Sequence, residues 1–321
     1  MIVRELPRRS FLAGGLAAGS LVLVACTSDD RSPEETIDNR VNDSVLSSDD
    51  RSPEETIDDR VDDSVLSFLI ATFPDGFSQP ATLAAGVEQR VAFVVADQID
   101  NLRETAPTSL ALAITRGDTT VVEMTVERRI DGIITPYYPA RVTFAEPGQY
   151  RAALPDYPDV APVDFLVAEA DTVEIPQVGE PLPAVRTPTT ADPLGVAQLC
   201  TRAVPCPFHE HDLAAVVENG RPTVLLVASP GFCQTDICGP VVDLLMEVGG
   251  ERPDLDLIHC EVYDDPSVFG TGRFPDLVSA VDQLALPFEP ALFVTDADGI
   301  IVARLDTTFD RSELTDALQL I

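Results

Sequence analysis

The stretch from Thr223 to Val248 constrains the fold more than any other part of the chain. The apolar run Thr223-Val-Leu-Leu-Val-Ala228 reads as a strand and Pro240–Val248 as a helix, and Ser229-Pro-Gly-Phe-Cys-Gln-Thr-Asp-Ile-Cys-Gly-Pro240 joins them. Cys233 and Cys238 are therefore launched from a strand end toward a helix N-terminus, where backbone N–H groups and the helix dipole favour a thiolate. In an oxidising compartment two cysteines this close can bridge reversibly if the turn permits. The pair would also serve as a static staple, but a strand-end position is what thiol chemistry needs. Asp236 between them opposes a lowered thiol pKa, and no general base is evident from the sequence.

The surrounding pattern predicts two domains. From residue 68 to 176, short β-branched and apolar runs alternate with Gly, Pro and Asp: 68–73, 90–96, 110–115, 121–128, 140–144, 150–154 and 163–167. About seven strands at this spacing predict an all-β, immunoglobulin-like sandwich. Gly117-Asp118 is turn chemistry, and Ala145-Glu-Pro-Gly-Gln-Tyr150 resembles the approach to a tyrosine corner, which gives Tyr150 a structural role. No nucleophile, histidine cluster or metal spacing stands out in this domain. Residues 177–194, rich in Pro and Thr, read as a linker.

From 195 to 321 the periodicity is mixed, as expected of an α/β domain. Helices are predicted over 212–219, 240–248, 275–284 and 311–320, and strands over 222–228, 255–262, 291–294 and 300–305. Asp296-Ala-Asp-Gly299 turns the last hairpin and lacks the later Glu of a Ca²⁺ loop. This order of elements, with a cysteine after the first core strand, resembles the thioredoxin fold. Val224-Leu-Leu-Val-Ala-Ser-Pro-Gly-Phe-Cys233 matches that family's strand and approach to the nucleophile, with Phe232 where the family usually has Trp. Pro290, in Phe288-Glu-Pro-Ala-Leu-Phe293, stands where the family places its cis-proline. The resemblance implies that Cys233 is the nucleophile, that Cys238 is the resolving thiol and that Pro290 lies opposite them. One departure is the spacing, since four residues separate the cysteines where the family has two. The wider spacing is similar to a peroxiredoxin subgroup, whose Thr three residues before the nucleophile is replaced here by Pro230, so thiol peroxidase is a lesser alternative.

Upstream, Cys200, Cys206, His209 and His211 gather two thiols and two of the three histidines into twelve residues. The Cys200–Cys206 spacing suits a small disulfide loop, and His211-Asp212 suits a helix start. The alternative is a copper- or zinc-binding set, which would make the domain a copper-handling or assembly module. His259 and Cys260, within the strand over 255–262, read as structural.

The N-terminus sets the compartment. Arg8-Arg9-Ser10-Phe11-Leu12 precedes an apolar stretch from Ala13 to Ala25 that is too short to span a bilayer as a mature helix. The paired arginines resemble a twin-arginine (Tat) signal, and Leu23-Val24-Ala25-Cys26 resembles a lipobox. The resemblance implies cleavage before Cys26, acylation of its sulfur and lipid anchoring of the mature chain at the extracytoplasmic face of the cell membrane. An uncleaved anchor helix would give the same location. Residues 28–47 recur as 48–67 with two Asn-to-Asp differences. Across 27–67, fourteen acids against four arginines leave a charge of −10, which reads as a disordered spacer, although 33–46 would also suit a partner-binding helix. The whole chain carries a formal charge of −33 and no Lys, which excludes a nucleic-acid partner. Exported protein thiols and disulfides are the expected partners, with no organic cofactor.

Overall fold

The computed structural model describes residues 68–71, 82–98, 101–102, 106–233 and 237–321. The predicted signal, Cys26, the tandem repeat and Gln234-Thr-Asp236 lie outside the described residues. Among the described residues no helix is long and apolar enough to cross a membrane.

The N-terminal half is built from β1 (Phe68–Ala71), β2 (Glu88–Gln98), β3 (Asn101–Leu102), β4 (Ser109–Arg116), β5 (Thr119–Glu127), β6 (Tyr138–Thr143), β7 (Gly148–Ala153) and β8 (Val163–Val167). They form two antiparallel sheets, one ordered β1-β2-β3 with β6 also on β2, the other ordered β5-β4-β7-β8. Alternation decides which face is buried: Leu110, Leu112 and Ile114 of β4 point inward while their neighbours are half-exposed. They meet Val91, Phe93 and Val95 of β2 and Tyr150 and Phe165 of the second sheet in one apolar core. Phe144, Tyr150 and Phe165 stack there with ring centroids 4.7–5.9 Å apart. The Tyr150 hydroxyl donates to the Glu146 carbonyl at 2.6 Å, which ties the β7 approach to itself.

The C-terminal half contains α1 (Leu213–Val216), β9 (Thr223–Val227), α2 (Cys238–Val248), β10 (Asp256–Cys260), α3 (Ser279–Gln283), β11 (Ala291–Thr295), β12 (Ile301–Asp306) and α4 (Arg311–Leu318). The sheet order is β10-β9-β11-β12, with β10 parallel to β9 and the last two strands antiparallel. This element order is the one that the thioredoxin resemblance implies. Every residue of β9, β10 and β11 is buried, because helices cover both faces. Val224 and Leu226 of β9 pack with Val241, Leu245 and Leu314 of α2 and α4, while Leu225 and Val227 pack with Leu213 and Val281 of α1 and α3. Helix α2 starts at Cys238, two residues before the predicted start. Pro240 is still tolerated, since the first four N–H groups of a helix have no intrahelical acceptor. The β11–β12 turn needs glycine at position 299: φ is +77°, and a Cβ would lie 2.6 Å from the Val217 carbonyl oxygen.

Residues 179–182 run beside Gly299–Ile301 at the start of β12. The Gly179 amide donates to the Ile301 carbonyl and the Leu182 amide to that of Gly299, and Leu182 and Val185 enter the core over α1.

From Gln89 to Ala96, strand β2 is buried on both faces. Its Ala92 and Val94 share a cluster with Ile133, Tyr137, Leu305, Phe309 and Leu314, so that the two halves meet through apolar surface. At that joint Arg90 forms a bidentate pair with Glu313 at 2.6 and 2.7 Å, both side chains buried. Arg90 also donates to the carbonyls of Asp306 and Thr308, and Tyr137 donates to Glu313 at 2.6 Å. Burial alone would raise the Glu313 carboxyl, but Arg90 and the Tyr137 hydroxyl outweigh it and hold it below the usual glutamate range. Its contribution to stability is therefore present above the ordinary glutamate pKa and is lost as pH falls through the lower folded value. Glu313→Ala leaves a buried, uncompensated guanidinium. It should cost roughly 3–5 kcal/mol in urea unfolding at neutral pH, with a smaller loss for Tyr137→Phe of about 1–3 kcal/mol. The gap between wild type and Glu313→Ala should narrow as pH falls through the lowered folded value of Glu313; equal midpoints at neutral pH would refute this account of the joint.

Candidate functional site

Two registers meet at the end of β9. Val227 pairs with Cys260 on one side and with Ala291 on the other. The antiparallel partner then brings Glu289 and Pro290 beside Ser229, and the Glu289–Pro290 peptide is cis. The Ser229 amide donates to Glu289 Oε2 at 2.6 Å. Beyond Ser229 the loop carries Cys233, partly exposed, and Cys238 is buried in the first turn of α2. Their sulfurs are 2.6 Å apart, and Cys238 Sγ lies 3.5 Å from Glu289 Oε2.

The environment assigns different roles to the two thiols. Burial, then the contact with Cys233 and the charge of Glu289, push Cys238 far above the ordinary thiol range. The helix N-terminus does not overcome that cost. Burial also pushes Glu289 up to about 7, helped by the nearby Cys233 and opposed by hydrogen bonds from Ser229 and Cys238. A carboxylate so placed is matched to take a proton from Cys238 near neutral pH. Glu289 is the candidate base that sequence reasoning missed. The signal was its place directly before Pro290, but an isolated Glu in an acidic chain carries no mark of burial.

Around Cys233 lies an aromatic rim. Phe232 stacks on Phe269 at 5.6 Å, Tyr263 meets Phe269 edge-on at 5.0 Å, and Phe269 meets Phe274 at 6.1 Å. Phe232 and Phe274 are exposed.

A second cluster sits on the other side of β9. Cys200 and Cys206, both buried, have sulfurs 4.0 Å apart. Their hydrogen bond pushes their acidities apart, Cys200 down and Cys206 up. His209 Nε2 is 3.2 Å from Cys206 Sγ, and His259 Nδ1 is 3.3 Å from it and 3.9 Å from Cys200 Sγ. The His259 amide donates to the Phe208 carbonyl, which lays the 206–209 segment beside β10 and brings the two imidazoles together. The set therefore differs from the sequence expectation. His211 is half-buried beside Asp256 at the far end of β10, 4.0 Å from its carboxylate, while His259 joins the cluster. No local spacing could signal a residue fifty positions away; the pairing of β10 with the loop decides it. Cys260 next to it faces the opposite core, where burial pushes its thiol up to about 12.

Glu261 bridges toward the redox loop. It accepts from the Thr201 amide at 2.6 Å and from its hydroxyl at 3.0 Å, and Thr201 Oγ1 accepts from the Gly231 amide at 2.8 Å. A polar cleft lined by Arg90, Arg141, Gln177 and Arg304 lies at the joint between the halves, away from both clusters.

No family model matches the chain, and no curated protein matches it. Among solved structures, the solution structure of a "putative protein disulfide isomerase" from Bacteroides thetaiotaomicron aligns with 45% of this chain and 87% of its own, at 13% identity and a TM-score of 0.31.

Thiol access provides a test. With the protein reduced and folded, iodoacetamide should modify Cys233 at least roughly tenfold faster than Cys238, and Cys260 only after unfolding. Peptide mass mapping reads the order, and early labelling of Cys238 or Cys260 would contradict the assignment.

Proposed function

We propose that this chain is a lipid-anchored, extracytoplasmic thiol–disulfide oxidoreductase acting on exported proteins. One observation carries the chemistry: Cys238 Sγ lies between Cys233 Sγ at 2.6 Å and the Glu289 carboxylate at 3.5 Å. The paired arginines and the lipobox ending at Cys26 support the anchor, and the acidic repeat over 28–67 supports a spacer. Two antiparallel sheets over one core, with Tyr150 tied to Glu146, support reading residues 68–176 as an immunoglobulin-like module. The aromatic rim favours polypeptide substrates with apolar side chains near their disulfide.

In the reducing direction, the Cys233 thiolate attacks one sulfur of a substrate disulfide. A mixed disulfide forms, the substrate S–S bond breaks, and the departing thiolate takes a proton from water. Cys238 then gives its proton to Glu289, and its sulfur attacks Cys233 Sγ. The mixed bond breaks and the second substrate thiolate leaves. Two electrons have passed from the Cys233/Cys238 dithiol to the substrate, and the reverse sequence oxidises a substrate dithiol.

Glu289 accepts a proton only as the carboxylate, so resolution should accelerate as pH rises through about 7. Glu289→Gln should slow resolution about 10²-fold or more and flatten that profile in stopped-flow measurements. Cys238→Ser should accumulate a mixed disulfide at Cys233 when the reduced variant meets disulfide-bonded exported proteins. If no adduct forms while Cys233 remains alkylatable, the oxidoreductase reading fails.

A further inference from the structure

We propose that Cys200, Cys206, His209 and His259 form a closed, four-coordinate Zn²⁺ site that braces the loop carrying Cys233. All four residues are buried, and their donor atoms lie within 4.8 Å of one another. With Zn–S bonds of about 2.3 Å and Zn–N bonds of about 2.0–2.1 Å, a tetrahedral centre sets its ligand atoms roughly 3.3–3.8 Å apart. The separations of 4.0 and 3.9 Å from Cys200, and of 3.2 and 3.3 Å from Cys206, fit that tetrahedron to within a few tenths of an ångström.

The histidine orientation supports a metal over a bridge between the two sulfurs. His259 Nε2 lies 2.9 Å from the Ala228 carbonyl, which can only accept, so Nε2 carries the proton and the Nδ1 lone pair faces the sulfurs. A Cys200–Cys206 disulfide has no proton to offer that lone pair or His209 Nε2. A dication accepts from two thiolates and two imidazoles at once. Two thiolates, two imidazoles and no exposed position describe a structural zinc site. Passing copper on as cargo would need a donor that a partner can reach, and none of the four is exposed.

The site has something to hold. Residues 182–212 form no helix or strand, yet they supply three of the four donors, while β10 supplies the fourth. Thr201, next to Cys200, receives the Gly231 amide two residues before Cys233. The fit is tight, since a Cβ at Gly231 would lie 3.0 Å from Thr201. His259 also fixes Ala228 at the strand end. Metal at the cluster therefore sets the position of both ends of the 228–233 segment.

The full chain, purified reduced and stripped with a chelator, is titrated with Zn²⁺ or Co²⁺ alone. The expected result is one metal per chain by elemental analysis, with thiolate-to-cobalt charge transfer and tetrahedral d–d bands for Co²⁺. Cys206→Ser and His259→Ala should weaken Zn²⁺ binding by more than the about 100-fold that a lost outer-shell partner costs. His211→Ala and Cys233→Ser should each retain one zinc, and the latter separates this site from the redox reading, because it abolishes turnover without touching the metal. The wild-type cobalt spectrum stands even if a ligand variant fails to fold. No uptake, no thiolate band, loss of zinc in His211→Ala, binding of Cu⁺ alone, or a Cys200–Cys206 bridge that forms equally with zinc present would each overturn the proposal.

Discussion

Val227 pairs with two strands at once, and the chemistry of this protein depends on that double pairing. Because β9 is flanked by β10 in parallel and β11 in antiparallel register, its end at Ala228 and Ser229 is approached from both sides. From β11 comes Glu289, aimed at Cys238. From β10 comes His259, on the Ala228 carbonyl, and from just beyond it the Val262 amide, on the Ser229 hydroxyl. A slip of one residue in either register would turn these side chains to the opposite face of the sheet. The burial of every residue in β9, β10 and β11 prevents such a slip, because it would drive polar groups into the cores on both sides.

The same logic of burial shapes the joint between the halves. Strand β2 has no solvent face from Gln89 to Ala96: Val91, Phe93 and Val95 fill one core and Ala92 and Val94 enter another. A chain with 54 acids and no Lys must place its arginines with care, and Arg90 is enclosed by Glu313, two carbonyls and the Tyr137 ring. Apolar contact alone would leave the angle between two packed faces loosely defined. The bidentate geometry of guanidinium and carboxylate sets a direction as well as a distance, and the Tyr137 hydroxyl also accepts the Asp310 amide at the start of α4.

Elements whose signal is local were legible in the sequence. The strand Val163–Val167 and the helix start at Arg311 follow directly from apolar alternation and from Asp310 as a capping residue, whose carboxylate accepts the Glu313 amide. The Cys233/Cys238 pair was visible because strand end, cysteine and helix lie within thirty residues. Glu289 and His259 were not, because what makes each one chemical is contributed by a different strand. A Glu before a Pro looks like any surface acid until β11 is paired to β9, and a His beside a Cys in an apolar run looks like core until the loop at 206–209 is hydrogen-bonded to β10. The Pro- and Thr-rich stretch 177–194 reads as a linker by composition, and its residues 179–182 also lie along the start of β12, a contact that composition does not signal.

Proximity of two thiol pairs poses a problem that burial alone does not solve. Both pairs belong to the cluster on the α2 face of the sheet, so among the described residues a thiolate at Cys233 has four other cysteine sulfurs in the same half of the molecule as candidates for exchange. Exchange needs an accessible partner sulfur in the right oxidation state. Cys260 is removed by facing the opposite core, where its thiol stays protonated. Cys200 and Cys206 are removed if their lone pairs are committed to a cation, which lowers their nucleophilicity and makes bridging to each other or to Cys238 cost two metal bonds. Zinc has no redox chemistry of its own, so it can sit one strand from a dithiol without diverting its electrons. Among the described residues Cys233 and Cys238 are then the pair placed to exchange, with Glu289 beside Cys238.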